Sequence, residues 1–102
     1  MSTVTTSGVE MIVKNITLST TKQGISFAQP VNKVILQART AVDILIYEHT
    51  GNDSGGAPST DYYTLKSGGV LTLDITTGQA NKPVFWINVA SGTPVVEVIG
   101  IY

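Results

Sequence analysis

Residues 83–102 read PVFWINVASGTPVVEVIGIY, and this stretch decides the fold class. Phe85, Ile87 and Val89 occupy every second position, which is the spacing of side chains on one face of a β-strand. The break at 91–94, SGTP, contains the residue types that supply turn geometry. The valine-rich segment 95–102 then resumes the strand pattern. We therefore predict two β-strands here, with Phe85, Ile87 and Val89 facing the core.

The rest of the chain repeats this pattern of short blocks rich in Val, Ile and Thr, separated by Gly, Pro, Asn and Ser. In residues 69–75, Leu71, Leu73 and Ile75 form a second alternating set that should be buried. We predict strands over residues 10–18, 24–28, 33–38, 42–48, 61–66, 69–75, 83–90 and 94–102. No segment has helical spacing, so the sequence predicts an all-β fold, a two-sheet antiparallel β-sandwich without substantial helix.

The length of 102 residues allows one domain with a modest core. Residues 1–8, MSTVTTSG, are rich in Ser and Thr and lack the basic and apolar segments of a signal peptide. We expect them to form a flexible N-terminal arm, and residues 9–102 to form a single β-sandwich domain. The absence of Cys fits synthesis in a reducing cytoplasm.

The charge content argues against several partners. Six basic and seven acidic residues give a net charge of −1, and the basic residues are dispersed along the chain. Phosphate backbones are bound by clustered Lys and Arg, so we expect no nucleic-acid partner. No apolar run approaches the length of a membrane helix, so we expect no membrane partner. A weakly charged surface of Thr, Ser, Asn and Gln favours association into an assembly.

The chain contains few residues of the types that catalyse reactions or bind metals. A serine triad would have to use His49, the single His, and no nucleophile elbow is present. The polar segment 49–60, HTGNDSGGAPST, is predicted to be a mobile hairpin tip. Glu48, His49, Asp53 and Asp61 lack calcium-loop spacing. We therefore expect no enzyme activity, cofactor or metal.

Glu97 has two interpretations, because it lies among apolar neighbours at residues 95–99. It is either a partly desolvated general acid or, as we favour, a charge that protects an edge strand from aggregation.

Several apolar side chains lie on strand faces that should point away from the core. Some of these should contact a partner, and the alternative is cover from the N-terminal arm or the long loop. Tyr62 and Tyr63 are adjacent in a strand, so one should be buried and the other exposed. The predicted interface residues are Met11, Val13, Tyr62, Tyr63, Val84 and Trp86.

Three stretches together resemble a known class of proteins: VNKVILQARTAVDILIYE at 31–48, DYYTLKSGGVLTLDI at 61–75, and residues 83–102. They are similar to small β-sandwich virion proteins of tailed bacteriophages, especially capsid decoration or cement proteins and related head or tail accessory proteins. The matching features are Tyr63, Leu65, Gly68, Gly69 and a valine-rich final strand over 95–101.

This resemblance implies a jelly-roll-like, non-enzymatic module that is often a homo-oligomer. It also implies a protein made in the host cytoplasm and then located in the virion, where it binds capsid or other virion proteins and stabilises subunit contacts. The rival prediction is a carbohydrate-binding or attachment module of a tail fibre or spike, in which Trp86, Tyr62 or Tyr63 stacks on a sugar. A small hydrolase is the third and weakest reading.

Overall fold

The computed structural model describes residues 11–50, 56–75 and 79–102, and it has the predicted all-β fold with eight strands and no helix among these residues. The predicted arm at 1–8 lies outside the described residues. The strands are β1 (Met11–Thr17), β2 (Gln23–Ile25), β3 (Lys33–Ala38), β4 (Ile44–Thr50), β5 (Ala57–Leu65), β6 (Val70–Asp74), β7 (Phe85–Asn88) and β8 (Val95–Ile101).

The strands form two antiparallel four-stranded sheets that pack as a sandwich. Sheet I has the order β1-β8-β3-β6, and sheet II has the order β2-β7-β4-β5. Every connection except the β4–β5 hairpin crosses from one sheet to the other. This is the eight-strand order of a jelly roll, in which two Greek keys interlock. It brings the first and last strands together, with Met11 paired to Ile101 and Thr17 to Val95.

The core lies between the sheets and follows the alternation of the sequence. Phe85, Ile87 and Val89 are buried, as predicted. Leu71 and Leu73 are only half-buried, because β6 is an edge strand of sheet I and one flank of each side chain lacks a neighbouring strand. The fully buried side chains come from both sheets and from the segment after β1; they are Leu18, Val34, Leu36, Ile44, Ile87, Val89, Val96 and Val98.

Strands β4 and β5 extend further into segment 49–60 than the sequence predicted. Segment 49–60 was expected to be loop, but β4 continues through Thr50 and β5 begins at Ala57. The Thr50 hydroxyl donates to the Ala57 carbonyl at 2.7 Å, and a bulge between Tyr47 and His49 shifts the register. These strand ends were not predicted because their residues are mostly polar. They form a two-stranded extension that needs no buried face, so they show no apolar alternation.

The two lateral edges of the sandwich differ. On the side of β1 and β2, side chains connect one sheet to the other: the Lys14 ammonium donates to the carbonyl of Ser26, and the Gln23 amide donates to the carbonyl of Thr17. On the opposite side, β5 and β6 flank an open cleft. No helix in the described ranges is long and apolar enough to cross a membrane.

Candidate functional site

The outer face of sheet I carries an exposed apolar patch. Met11 and Val13 of β1 are 63% and 54% exposed. Cross-strand pairing places Ile101 beside Met11, and Ile99 between Val13 and Ile35. These five residues define what we call the apolar patch, and strand alternation places them all on the side away from the core.

Polar groups border the patch at both ends of the sheet. Lys33 and Asp74 pair across β3 and β6 with 3.7 Å between the ammonium and a carboxylate oxygen. At the other end, Glu97 accepts a hydrogen bond from the Gln37 amide at 2.9 Å and pairs with Arg39 at 3.4 Å. An apolar centre with a polar margin is the usual anatomy of a protein interface.

The position of Glu97 shows that the edge-strand interpretation is wrong. β8 lies between β1 and β3, so Glu97 belongs to a central strand and protects no edge. The edge residue that has this role is Lys14 of β1. Its side chain reaches inward over the Phe27 ring, with 5.6 Å between the ammonium nitrogen and the ring centroid. An inward-pointing charge on an edge strand opposes pairing with another chain.

The second candidate surface is the cleft between β5 and β6, on the open edge of the sandwich. Its volume is about 520 Å³, within the usual range of ligand sites. The lining combines an apolar floor with tyrosines and two carboxylates: Ile46, Tyr47, Glu48, Asp61, Tyr62, Tyr63, Leu71, Leu73, Val84 and Phe85.

Tyr62 and Tyr63 are both exposed, at 59% and 60%, so the prediction that one of them is buried was wrong. Both belong to β5, the edge strand of sheet II, so each side chain has a neighbouring strand on one side only. The buried tyrosine is Tyr47, directly opposite Tyr62, with 5.8 Å between the two ring centroids. Tyr63 pairs with the inward-facing Ile46 and presents its ring at the cleft, whereas Tyr62 lies with Tyr47 on the outer face of sheet II at the rim of the cleft.

Trp86 lies on the outer face of sheet II and is only half-buried. Its indole nitrogen donates to Nδ1 of His49 at 3.0 Å, and the two rings stack with centroids 6.2 Å apart. The six-membered ring of the indole lies close to Gly24, where a Cβ would come within 3.3 Å of it. The indole is thus fixed by its own sheet instead of being a free anchor for a partner.

A buried polar network on the outer side of sheet II was missed by the sequence analysis. The Tyr47 hydroxyl donates to Oδ1 of Asn88 at 2.9 Å, and the Asn88 amide donates to the carbonyl of Thr20 at 2.9 Å. The Lys22 ammonium lies 4.1 Å from the centroid of the Tyr47 ring. The segment before β2 is therefore attached to β4 and β7 by polar contacts that have no local sequence pattern.

The six predicted interface residues do not form one surface. Met11 and Val13 lie on the outer face of sheet I, whereas Tyr62, Tyr63 and Val84 line the cleft, and Trp86 is on the outer face of sheet II. In the described part of the chain, no three His, Cys, Asp or Glu side chains are close enough to hold a metal ion. Asp53, named with the 49–60 segment, lies outside the described residues.

Comparison with protein-family models, with curated proteins and with solved structures gives no match for this chain. Two surfaces are candidates for function: the apolar patch on sheet I and the cleft beside β5. The patch is an apolar surface without ionisable groups, whereas the cleft is a concave site that contains two carboxylates.

Proposed function

We propose that this protein is a non-enzymatic structural component of a tailed-bacteriophage virion, most specifically a capsid decoration or cement protein that also associates with its own copies. The observation that carries the proposal is the exposed apolar patch around Val13 on sheet I. Met11 and Val13 are more than half exposed although they lie on a regular strand in which every residue pairs with β8. Such a face is stabilised when a partner covers it.

The size of this face fits an assembly built from repeated weak contacts. The four strands of sheet I have 7, 7, 6 and 5 residues. With strands about 4.8 Å apart and a rise of about 3.3 Å per residue, they give a projected face of about 400 Å². A standard stable interface covers about 800 Å² per partner. One sheet face alone therefore gives a weak contact, and binding becomes firm when symmetry repeats it over a particle.

The strand order supports the same proposal by analogy. Jelly rolls with eight strands occur in viral capsid proteins and also in lectins. Fold alone does not specify function, so this similarity adds to the argument from the patch and does not replace it. The resemblance in residues 31–48, 61–75 and 83–102 points to the same class of protein.

Light scattering of the purified protein across a wide concentration range tests the proposal. Because one sheet face gives a weak contact, we expect the wild-type mass to rise towards a discrete oligomer at the high end of the concentration range. Val13→Asp should stay monomeric over the same range, because a carboxylate in the patch would be desolvated on association. Thr60→Asp is the matched control, since Thr60 is exposed on β5 away from sheet I. A wild type that stays monomeric, or a Val13→Asp variant with unchanged mass, would overturn the patch as the site of association.

The second candidate function is a carbohydrate-binding or attachment module of a tail fibre or spike. Tyr62 and Tyr63 favour it, because exposed tyrosine rings beside carboxylates can stack on and hydrogen-bond to a sugar. A glycan array read with wild type and Tyr63→Ala tests this function. Binding that is lost in the variant while the native mass stays the same would favour the module over the cement protein.

A further inference from the structure

The cleft beside β5 differs in chemistry from the patch, and it points to a second kind of contact. We propose that the cleft binds the side chain of a lysine or arginine presented by a partner protein. This inference is independent of the proposed association through sheet I, because the cleft lies on the open edge of the sandwich.

Charge is the first argument for a cationic occupant. Among the described residues, the ionisable side chains that line the cleft apart from tyrosines are the carboxylates of Glu48 and Asp61, and both residues are exposed. No Lys, Arg or His is among the lining residues of the described chain. The field inside such a cleft is negative, and low-dielectric walls strengthen it.

The apolar floor is the second argument. Leu71, Leu73, Val84 and Phe85 line the cleft together with the two carboxylates. Lysine and arginine carry long apolar stems with a charged end, so the stem packs on apolar surface while the charge stays near acidic groups and water. A volume of about 520 Å³ is sufficient for one such side chain together with part of its backbone.

The protein's own contacts provide an internal precedent. Lys22 places its ammonium 4.1 Å from the centroid of the Tyr47 ring, and Tyr47 in turn packs against Tyr62. Cations are attracted to the faces of tyrosine rings in this geometry. Tyr63, on the cleft side of β5, offers a similar face, and this residue is 60% exposed.

The donors and acceptors of the lining favour a basic side chain over a sugar. A site for sugar hydroxyls needs donors as well as acceptors. Among the described lining residues the side-chain donors are tyrosine hydroxyls, of which that of Tyr47 is used by Asn88, and the carboxylates of Glu48 and Asp61 are acceptors only. An ammonium or guanidinium group has donors only and therefore matches them.

Titration of the intact protein with two isosteric probes tests the inference. The probes are N-acetyl-lysine methylamide and N-acetyl-norleucine methylamide, which differ mainly in the terminal ammonium. Binding is followed by NMR through the methyl resonances of Leu71, Leu73 and Val84. We expect the lysine probe to bind about tenfold more tightly than the norleucine probe at low ionic strength, and we expect salt to reduce this preference.

Variants then locate the effect. The double variant Glu48→Gln, Asp61→Asn should bind both probes equally, whereas Asp74→Asn should keep the tenfold preference, since Asp74 pairs with Lys33 on sheet I. Equal binding of the two probes to the wild type, or an unchanged preference in the double variant, would overturn the inference. Stronger binding of methyl glucoside than of the lysine probe would also overturn it and favour the glycan module.

Discussion

Replacing Tyr47 with Phe removes one hydroxyl from the polar network that joins Tyr47, Asn88 and the Thr20 carbonyl. The ring stays in place, so its packing on Tyr62 and its contact with the Lys22 ammonium are retained. The hydroxyl is replaced by hydrogen, and Oδ1 of Asn88 loses its donor at 2.9 Å. Tyr47 is only 5% exposed and Asn88 is 9% exposed, so water cannot readily replace that donor.

The expected cost follows from this geometry. A buried acceptor left without a partner costs about 1–3 kcal/mol, and the lower half of this range applies because the Asn88 amide keeps its bond to Thr20. We expect the free energy of unfolding to fall by about 1.5 kcal/mol. For a domain of about 100 residues this corresponds to a decrease in Tm of about 6–12 °C.

Urea denaturation followed by the fluorescence of the single tryptophan provides the measurement. The matched control is Tyr62→Phe, because Tyr62 is 59% exposed and water replaces whatever its hydroxyl contacts. We expect that variant to differ from wild type by less than about 0.5 kcal/mol. If Tyr47→Phe were as stable as Tyr62→Phe, the network would not contribute as argued, and the attachment of the segment before β2 would depend on packing alone.

Three further predictions concern other parts of the sandwich. Gly100→Ala should lower the free energy of unfolding by about 2 kcal/mol in urea, because a Cβ there would lie 2.6 Å from the ring of buried Phe27; an unchanged midpoint would contradict this packing. Lys14→Val should aggregate faster than wild type in turbidity assays, since edge strand β1 would lose its inward charge, and equal rates would show that the charge is not protective. The emission of Trp86 should change in His49→Phe, because the indole N–H loses the Nδ1 acceptor that it has in the wild type; an emission spectrum like that of the wild type would refute this contact.

The fold class was predictable because its cause is local. The alternation of Phe85, Ile87 and Val89 specifies a strand with one buried face, whatever its neighbours are. Turn residues then separate such strands, which explains why all eight were located, with boundary differences mainly at β2, β4, β5 and β7. The polar continuation of β4 through Thr50 was missed, since an extension beyond the core has no alternation to reveal it.

The surfaces were less predictable, because they depend on which strands become neighbours. Two adjacent tyrosines in a strand, such as Tyr62 and Tyr63, are expected to comprise one buried and one exposed residue. Both are exposed here because β5 lies at a sheet edge. Glu97, a charged residue among apolar neighbours, was expected to lie on an edge strand, but β8 is a central strand. Trp86 was expected to face a partner. Its hydrogen bond to His49 was not predictable, because the two residues are 37 positions apart in the sequence. Strand order is a long-range property that local pattern does not encode.

The pairing of β1 with β8 has a consequence for biosynthesis. Residues near Met11 are synthesised long before their strand partners near Ile101. β3 also needs β8 on one side, so sheet I has only the β3–β6 pair until β8 emerges. Closing so long a segment of chain is slow, because loop entropy is lost before the contacts form. We therefore expect sheet I to be completed late in folding, when β8 inserts between β1 and β3.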